Sequence, residues 1–435
     1  MVKRTEEEIK QSMERINWEF EDYSSSKYPL DLNSIPWYPA TFPAPIPKYL
    51  VALLTEPKDV VLDPFGGKGT TAVETLKQRR RFIYNDLNPH AVTIMECLLE
   101  TIGRPIDEQV FTRMIDADKL DLLHNNTGTA AFPEYEGKKL DTALQRLPSD
   151  IKNQLINRGI SEDTIYWFHA ETLKELILLF DRVERFNGFE NGIRKLAFLS
   201  ILKDVSSQRG HFSYVTDNCK PAVMKYYNAI NAYFEMLDRI QRACIDFYRQ
   251  YRIVNKEDDL ELIAKDCIIH SGNAKDCGFI EDCSVDLVVT SPPYLCAQDY
   301  ILTMRLNNFF YPNQGFTTLP FTEMGPRRLR TRRGIVDSYF RDIELVFKEM
   351  HRVLKNDAYI CLIIGQGKGK VSQNINVIKN AIKLAEETGF VKVFSTTRSI
   401  MYKINRVGGV EKEDLILFRK DASPCISKPN NMETV

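Results

Sequence analysis

Apolar residues at Ile9, Met13, Ile16 and Phe20 recur at helical spacing and predict a short amphipathic helix over 6–22. The proline-rich stretch 29–47 is incompatible with regular helix or a central strand, and is expected to run extended over whatever follows. An α/β pattern then begins: a helix over 48–54, an apolar strand ending at Leu62, a glycine-rich turn, a helix from about Thr70, and a strand over 82–84. Strand signals fade between 91 and 251, where 162–186, 193–207 and 223–250 predict long helices, while 127–150 lacks periodicity and predicts loop. Alternation resumes with strands over 261–271 and 285–290, a helix around 338–353, a strand over 359–364 and a helix over 375–387. Two last strands, 391–396 and 414–418, are separated only by a polar loop, which predicts an antiparallel edge on an otherwise parallel sheet.

The chain has 435 residues, 43% hydrophobic and 27% charged, enough to bury a large core and too ordered in composition for a disordered or fibrous protein. That length suits two or three units, or one elaborated α/β domain carrying an insertion. The pattern divides it into an N-terminal helical extension (1–35), an α/β domain built from 36–100 and 260–422, and a helical insertion (101–259), a candidate for recognising the target. Lys and Arg number 58 against 59 Asp and Glu, so a polyanion has to be met by a local basic patch. The polar, acidic N-terminus and the absence of an 18-residue apolar run predict neither signal peptide nor membrane span, and a cytoplasmic location. Nine scattered cysteines without a CxxC pair predict reduced thiols and no metal site.

The segment DVVLDPFGGKGTT, residues 59–71, places an apolar strand before Asp63, then Gly66, Gly67 and Gly69, then two hydroxyls at a helix start. Glycine lets the backbone bend and a ligand approach, and free N–H groups at a helix start suit a small anion. Asp86 ends the next strand, where a doubly wound sheet places an acid to accept from a ribose. The turn matches neither the P-loop nor the dinucleotide GxGxxG. A nucleoside with a small charged group at its other end fits better, and S-adenosylmethionine is the leading candidate. A bare strand-to-helix turn without ligand is the plain alternative.

Far downstream, SVDLVVTSPPYLCAQDY, residues 284–300, ends a buried strand at Thr290 and presents Ser291, Pro292, Pro293 and Tyr294 at its carboxyl end. Ligands bind at that end of open α/β sheets. Consecutive prolines make a rigid loop whose carbonyls are left to accept from an amino group, and a following aromatic suits stacking on a base.

With DPFGGKGTT and TSPPY together, the sequence resembles the amino-methylating DNA methyltransferases, which methylate the exocyclic nitrogen of cytosine or adenine. YPATF (38–42), HSGNAKD (270–276) and EMHRVLKNDAYICLIIG (349–365) support the likeness, which covers 36–100 and 262–420 well and the helical middle weakly. The resemblance implies a Rossmann-like α/β methyltransferase fold: a mostly parallel seven-stranded sheet with an antiparallel edge, and a helical insertion. It implies that Asp63, Phe65, Gly66, Gly67, Gly69, Thr70 and Thr71 cradle the methionine part of S-adenosylmethionine, with Phe42 packing beside it and Asp86 on the ribose. Asn273, where relatives often carry Asp, is expected at the adenine amino group. Ser291 and the Pro292 carbonyl are expected to accept from the target amine, and Tyr294 to stack on a flipped base. Ser at the first position of the tetrapeptide is typical of relatives acting on cytosine N4, Asp or Asn of those acting on adenine N6.

An amide-like exocyclic amine is a poor nucleophile and needs acceptors that draw it toward tetrahedral geometry, which suits Ser291 and Pro292. Carbon-5 methylation needs a Pro-Cys nucleophile, and 424–425 in the polar tail is the only such pair. GPRRLRTRRG, residues 325–334, holds Arg327, Arg328, Arg330, Arg332 and Arg333 and is the candidate for contact with double-stranded DNA, against the plain reading of a solvated face. HFSYVTDN (211–218) is a candidate lining of the DNA cleft or an ordinary interhelical loop, and Trp167 and Phe168 are expected in the core. A cognate restriction endonuclease is the candidate companion protein. Three other readings stay open: an N6-adenine enzyme, a tRNA guanine-N2 enzyme, which the short 1–35 extension disfavours, and an inactive nucleic-acid-binding module.

Overall fold

The computed structural model describes residues 4–20, 31–39, 41–105, 107–125, 135–136, 149–208, 215–255, 259–367, 371, 375–400 and 410–421. Residues 21–22 of the first expected helix, 29–30 and 40 of the proline-rich stretch, most of the expected 127–150 loop, 211–214 and the 424–425 pair lie outside them. Seven strands form one sheet: β1 (Val60–Asp63), β2 (Arg81–Asp86), β5 (Ile268–Ser271), β6 (Val285–Thr290), β7 (Leu354–Gly367), β8 (Phe390–Ser399) and β9 (Val410–Lys420). Two short strands, β3 (Tyr135–Glu136) and β4 (Val223–Met224), pair antiparallel by themselves. The order is β5-β2-β1-β6-β7-β9-β8, parallel from β5 through β7 and antiparallel across β7-β9-β8. From β1 the chain builds outward through β2, and later returns on the other side as β6, so the sheet has its switch point between β1 and β6.

Helices cover both faces, and the strands are accordingly apolar on both sides. Val61, Leu287, Val289, Cys361, Ile363, Leu415 and Leu417 face α1 (Glu6–Arg15) and α2 (Pro45–Leu54), which contribute Ile9, Met13, Ile46 and Leu50. The intervening positions Leu62, Val288, Ile360, Leu362, Ile416 and Phe418 form the opposite core. Helix α1 starts on a capping box: Thr5 Oγ1 accepts from the Glu8 N–H, and the Glu8 carboxylate accepts from the Thr5 N–H.

Phe82 pairs in register with Val61, so it points to the α1/α2 face, where its neighbours are α3 (Thr70–Lys77), α4 (Pro89–Ile102) and the inserted helices. Those are α5 (Glu108–Asn125), α6 (Ser149–Asn157), α7 (Ala170–Val183), α8 (Gly188–Ile201) and α9 (Ala229–Val254). Phe82, Tyr84, Leu98, Phe111, Leu176, Phe198 and Tyr251 belong to one buried cluster, so the insertion continues the layer on that face of the sheet. The expected helix over 162–186 is interrupted: a 3-10 turn, Glu162–Tyr166, precedes α7, and His169 Nδ1 caps α7 by accepting from the Glu171 N–H. Trp167 and Phe168 are buried, as expected. The strand expected over 261–271 is helix α10 (Leu260–Lys265) followed by β5, because Leu260, Ile263 and Ala264 bury at helical spacing. Among the described residues seven cysteines are free thiols. Cys283 is disulfide-bonded, a departure from the expectation of reduced thiols throughout.

One buried charge cluster ties three inserted helices together. Asp118 of α5, fully buried, accepts from Arg194 of α8 at 2.9 Å and from Arg182 of α7 at 2.7 Å. Both guanidinium groups also lie over the Phe186 ring. Removing one member of such a cluster strands a buried charge. Asp118→Ala is therefore expected to lower unfolding free energy by about 3–5 kcal/mol in urea titrations followed by circular dichroism. A loss below about 1 kcal/mol would show that the cluster does not hold the insertion together.

Candidate active site

At the carboxyl ends of β1, β2 and β6 lies an open cavity of about 840 Å³ including its mouth. The turn after β1 supplies Pro64, Phe65, Gly66, Gly67 and Lys68 to its wall, and the start of α3 supplies Thr70. A Cβ on Gly66 would sit 2.1 Å from the Tyr84 ring, and Gly69 takes φ +87° as it caps α3. Both positions demand glycine. The Thr70 hydroxyl is buried without a hydrogen-bond partner, an open polar group at the helix start.

Asp86 lies at the end of β2 and also lines the cavity. Its carboxylate accepts from Gly67 N–H at 2.8 Å and Asn88 N–H at 2.7 Å, and burial raises its pKa to about 6. Asn273, after β5, lines the wall, its side-chain oxygen accepting from the Lys275 N–H at 3.1 Å. Phe42 contributes as well, beside Tyr38 and Thr41 of the same YPATF segment.

Asp63 and Thr71 are placed differently from the expectation. Neither lines the cavity. The Asp63 carboxylate is saturated from within: Thr290 Oγ1 donates at 2.7 Å, Thr71 Oγ1 at 2.8 Å and Phe65 N–H at 3.1 Å. Burial nonetheless raises its pKa to about 6, against these three bonds. Its work is to fasten the glycine turn to the end of β6.

On the β6 side, Ser291 and Pro293 line the same cavity. Pro292 is buried outside the lining, and the Pro293 carbonyl accepts from Tyr339 Oη at 3.0 Å. Tyr294, expected to stack on a base, is instead turned inward. It is buried, its hydroxyl donates to Glu413 at 2.6 Å, and its ring lies against the backbone of Gly365. Tyr300 supplies the aromatic wall on this side of the cavity.

The arginine loop is pinned to the segment after the tetrapeptide: the Arg327 N–H donates to the Gln298 carbonyl and the Arg328 N–H to Asp299 Oδ1. Arg327 lies 4.0 Å from Asp217, in the described part of HFSYVTDN, and Arg328 rests over Phe321. Arg330, Arg332 and Arg333 are exposed.

Several site residues carry no sequence motif. Buried Asn85 donates to the Pro64 and Gly272 carbonyls and meets His270 Nδ1 at 2.9 Å, joining the end of β2 to the turns after β1 and β5. Glu323 lines the cavity, with Oε1 accepting from the Ile301 N–H at 2.7 Å and Oε2 buried without a partner. Burial raises its pKa to about 8, so near neutrality it is protonated.

Residues 2–96 match the N6/N4 DNA methylase family. The chain is 32% identical over 93 residues to the type II methyltransferase M.PvuII of Proteus hauseri, covering 21% of this chain and 28% of that one. It is 21% identical over 449 aligned positions to the type II methyltransferase M.MjaII of Methanocaldococcus jannaschii, covering 90% of this chain and 81% of that one. The chain is thus similar to the amino-methylating DNA methylases, the family match lying in residues 2–96. Among solved structures, TrmN from Thermus thermophilus overlaps 88% of this chain and 50% of its own, at 8% identity and a TM-score of 0.32, too low to bear on the site. No helix among the described residues is long and apolar enough to cross a membrane.

The Glu323 carboxyl has a folded pKa above its unfolded value, so between about pH 4.5 and 8 the folded chain holds a proton that the unfolded chain releases. Stability is thereby lost as pH rises through that window. Glu323→Gln is expected to flatten the fall in melting temperature between pH 5 and 8, measured by scanning calorimetry. An unchanged pH slope would mean that Glu323 does not carry it.

Proposed function

We propose that the chain is an S-adenosylmethionine-dependent DNA methyltransferase acting on the N4 amino group of cytosine, of the restriction-modification kind. One observation carries this reading: Ser291 and Pro293 share a single cavity with Gly66, Gly67, Asp86 and Asn273. A donor bound by the glycine turn is thus within reach of a base held at the tetrapeptide. The residues present suit the donor. Asp86 retains lone pairs for ribose hydroxyls, the Thr70 hydroxyl is unpartnered, and the turn admits a close backbone approach. S-adenosylmethionine, when bound, supplies a methyl group on a sulfonium; the amine lone pair makes the new N–C bond and the C–S pair stays on sulfur.

The remaining chemistry falls to the chain. Ser291 Oγ, which lines the cavity, accepts an amine hydrogen and holds the nitrogen lone pair toward the methyl carbon, a gain that grows as the nitrogen becomes tetrahedral. Methylation acidifies the nitrogen, and its proton leaves to water. The target base has to leave the duplex to enter the cavity, whose aromatic wall is Tyr300. Ser291 favours cytosine over adenine by family precedent. Outside the cavity, Arg330, Arg332 and Arg333 take the phosphates.

Mass spectrometry of nucleosides from a methylation-free host expressing the chain is expected to show N4-methylcytosine. N6-methyladenine in its place would overturn the base assignment, and neither product would overturn the activity. Asp86→Ala should weaken cofactor binding by about 1.5–3 kcal/mol in calorimetry, the worth of hydrogen bonds to a charged acceptor. Replacing Arg330, Arg332 and Arg333 with Ala should flatten the log–log salt dependence of DNA affinity by about 0.9 per lost phosphate contact, with cofactor affinity unchanged. An unaltered slope would leave the loop as a solvated face.

A further inference from the structure

Behind the tetrapeptide runs a buried hydrogen-bonded chain that ends on the cavity. Tyr294 Oη donates to Glu413 Oε2 at 2.6 Å. A carboxylate only accepts, so the single phenolic proton is committed to it. Ser291 Oγ, 3.2 Å from Tyr294 Oη, is then the donor of that pair. Its lone pairs are what remain for the cavity that Ser291 lines. The other Glu413 oxygen pairs with Arg398 Nη1. Arg398 in turn donates through Nε to the Trp18 carbonyl at 3.0 Å and through Nη2 to the Glu19 carbonyl at 3.4 Å. Tyr294, Glu413 and Arg398 are 8%, 4% and 5% exposed, so water does not compete for these bonds. A Cβ at residue 365 would sit 2.7 Å from the Tyr294 ring, which shows how closely the strand backbone confines that ring. Burial and the neighbouring Glu413 hold the phenol well above its ordinary pKa, keeping the proton in place.

We propose that Glu413, Tyr294 and Arg398 are positioning residues that fix the Ser291 hydroxyl as a hydrogen-bond acceptor toward the substrate amine, anchored at the far end by the N-terminal extension. The proposal rests on the methyl-transfer reading above. It explains why an aromatic residue expected to face the base is held inward, and why a strand glutamate and a strand arginine are buried so close to the site. It also separates two roles of Tyr294, since stacking needs only the ring whereas the chain needs the hydroxyl.

The test is transfer of a labelled methyl group from S-adenosylmethionine to DNA by the full chain, with cofactor affinity and melting temperature measured in parallel. Tyr294→Phe keeps the ring and removes the link to Glu413. It should lower kcat about tenfold, the size of one hydrogen bond, with KM for DNA and cofactor affinity within about twofold of wild type. In Glu413→Gln the amide oxygen has to face Arg398, so the amide N–H faces Tyr294. The chain then reverses and the phenol donates into Ser291. That near-isosteric change should lower kcat at least as far as Tyr294→Phe. If Tyr294→Phe turns over like wild type, or loses cofactor affinity and melting temperature in step with kcat, the chain is structural only and the proposal fails. A wild-type chain that methylates no DNA would instead overturn the methyl-transfer reading, and the proposal with it.

Discussion

The geometry of the site depends on one buried carboxylate. Asp63 stands at the end of β1 and accepts from Phe65 and Thr71 of the glycine turn and from Thr290 at the end of β6. The two motifs lie more than two hundred residues apart in the chain, and side chains of this one residue and Asn85 clamp the loops that surround the cavity. An ionised carboxylate in that position loses its water, and the raised pKa records the loss. Three donors compensate it, and each of them restrains a residue next to a site residue: Phe65 before Gly66, Thr71 after Thr70, Thr290 before Ser291. Rigidity at the switch point is what allows two otherwise ordinary loops to line one cavity.

The layers around the sheet explain how much of this was legible in the sequence. Strand-turn-helix order, the glycine turn, the tetrapeptide and the antiparallel edge depend on local pattern, and all four appear where the pattern puts them. The pattern fails where periodicity persists through a break. Ile165, Trp167, Phe168 and Leu173 are all apolar and buried, so 162–186 reads as one helix, although a 3-10 turn and the His169 cap divide it. Over 261–271, Ile263 and Ile269 suggest a single strand, but α10 and β5 share the segment.

Roles that depend on distant partners were not legible. Asp63 has the same sequence neighbours whether it touches a ligand or braces a strand, and only the arrival of Thr290 decides between them. Glu413 and Arg398 are unremarkable charged residues in edge-side strands until the register of β8 with β9 sets them opposite one another. Tyr294 follows two prolines whichever way its ring turns, and the pull of Glu413 turns it inward. The insertion shows the same limit: helices were predicted over 162–186, 193–207 and 223–250 but not at α5 or α6, and their continuity with the sheet core through Phe82 and Tyr84 is a property of packing alone.

Charge is distributed in a way that the near-neutral total conceals. Inside the cavity the titratable groups are Asp86, Glu323 and two tyrosines, together with Lys68, whose ammonium is turned away to the Asn33 carbonyl and whose pKa burial lowers to about 8. Two buried carboxyls held near or above neutrality, at about 6 and about 8, are poorly solvated as anions, and a cationic ligand would lower both values by supplying the missing counter-charge. Such a ligand gains from each group what water cannot give it there. Outside, Arg330, Arg332 and Arg333 face solvent on a loop whose backbone is fastened to Gln298 and Asp299, a few residues past the tetrapeptide. The cavity, by contrast, holds the Asp86 and Glu323 carboxyls beside Lys68, and none of these three arginines lines it. The carboxyls that favour a cationic ligand and the arginines that favour an anionic one thus occupy separate places, one within the cavity and one on an exposed loop.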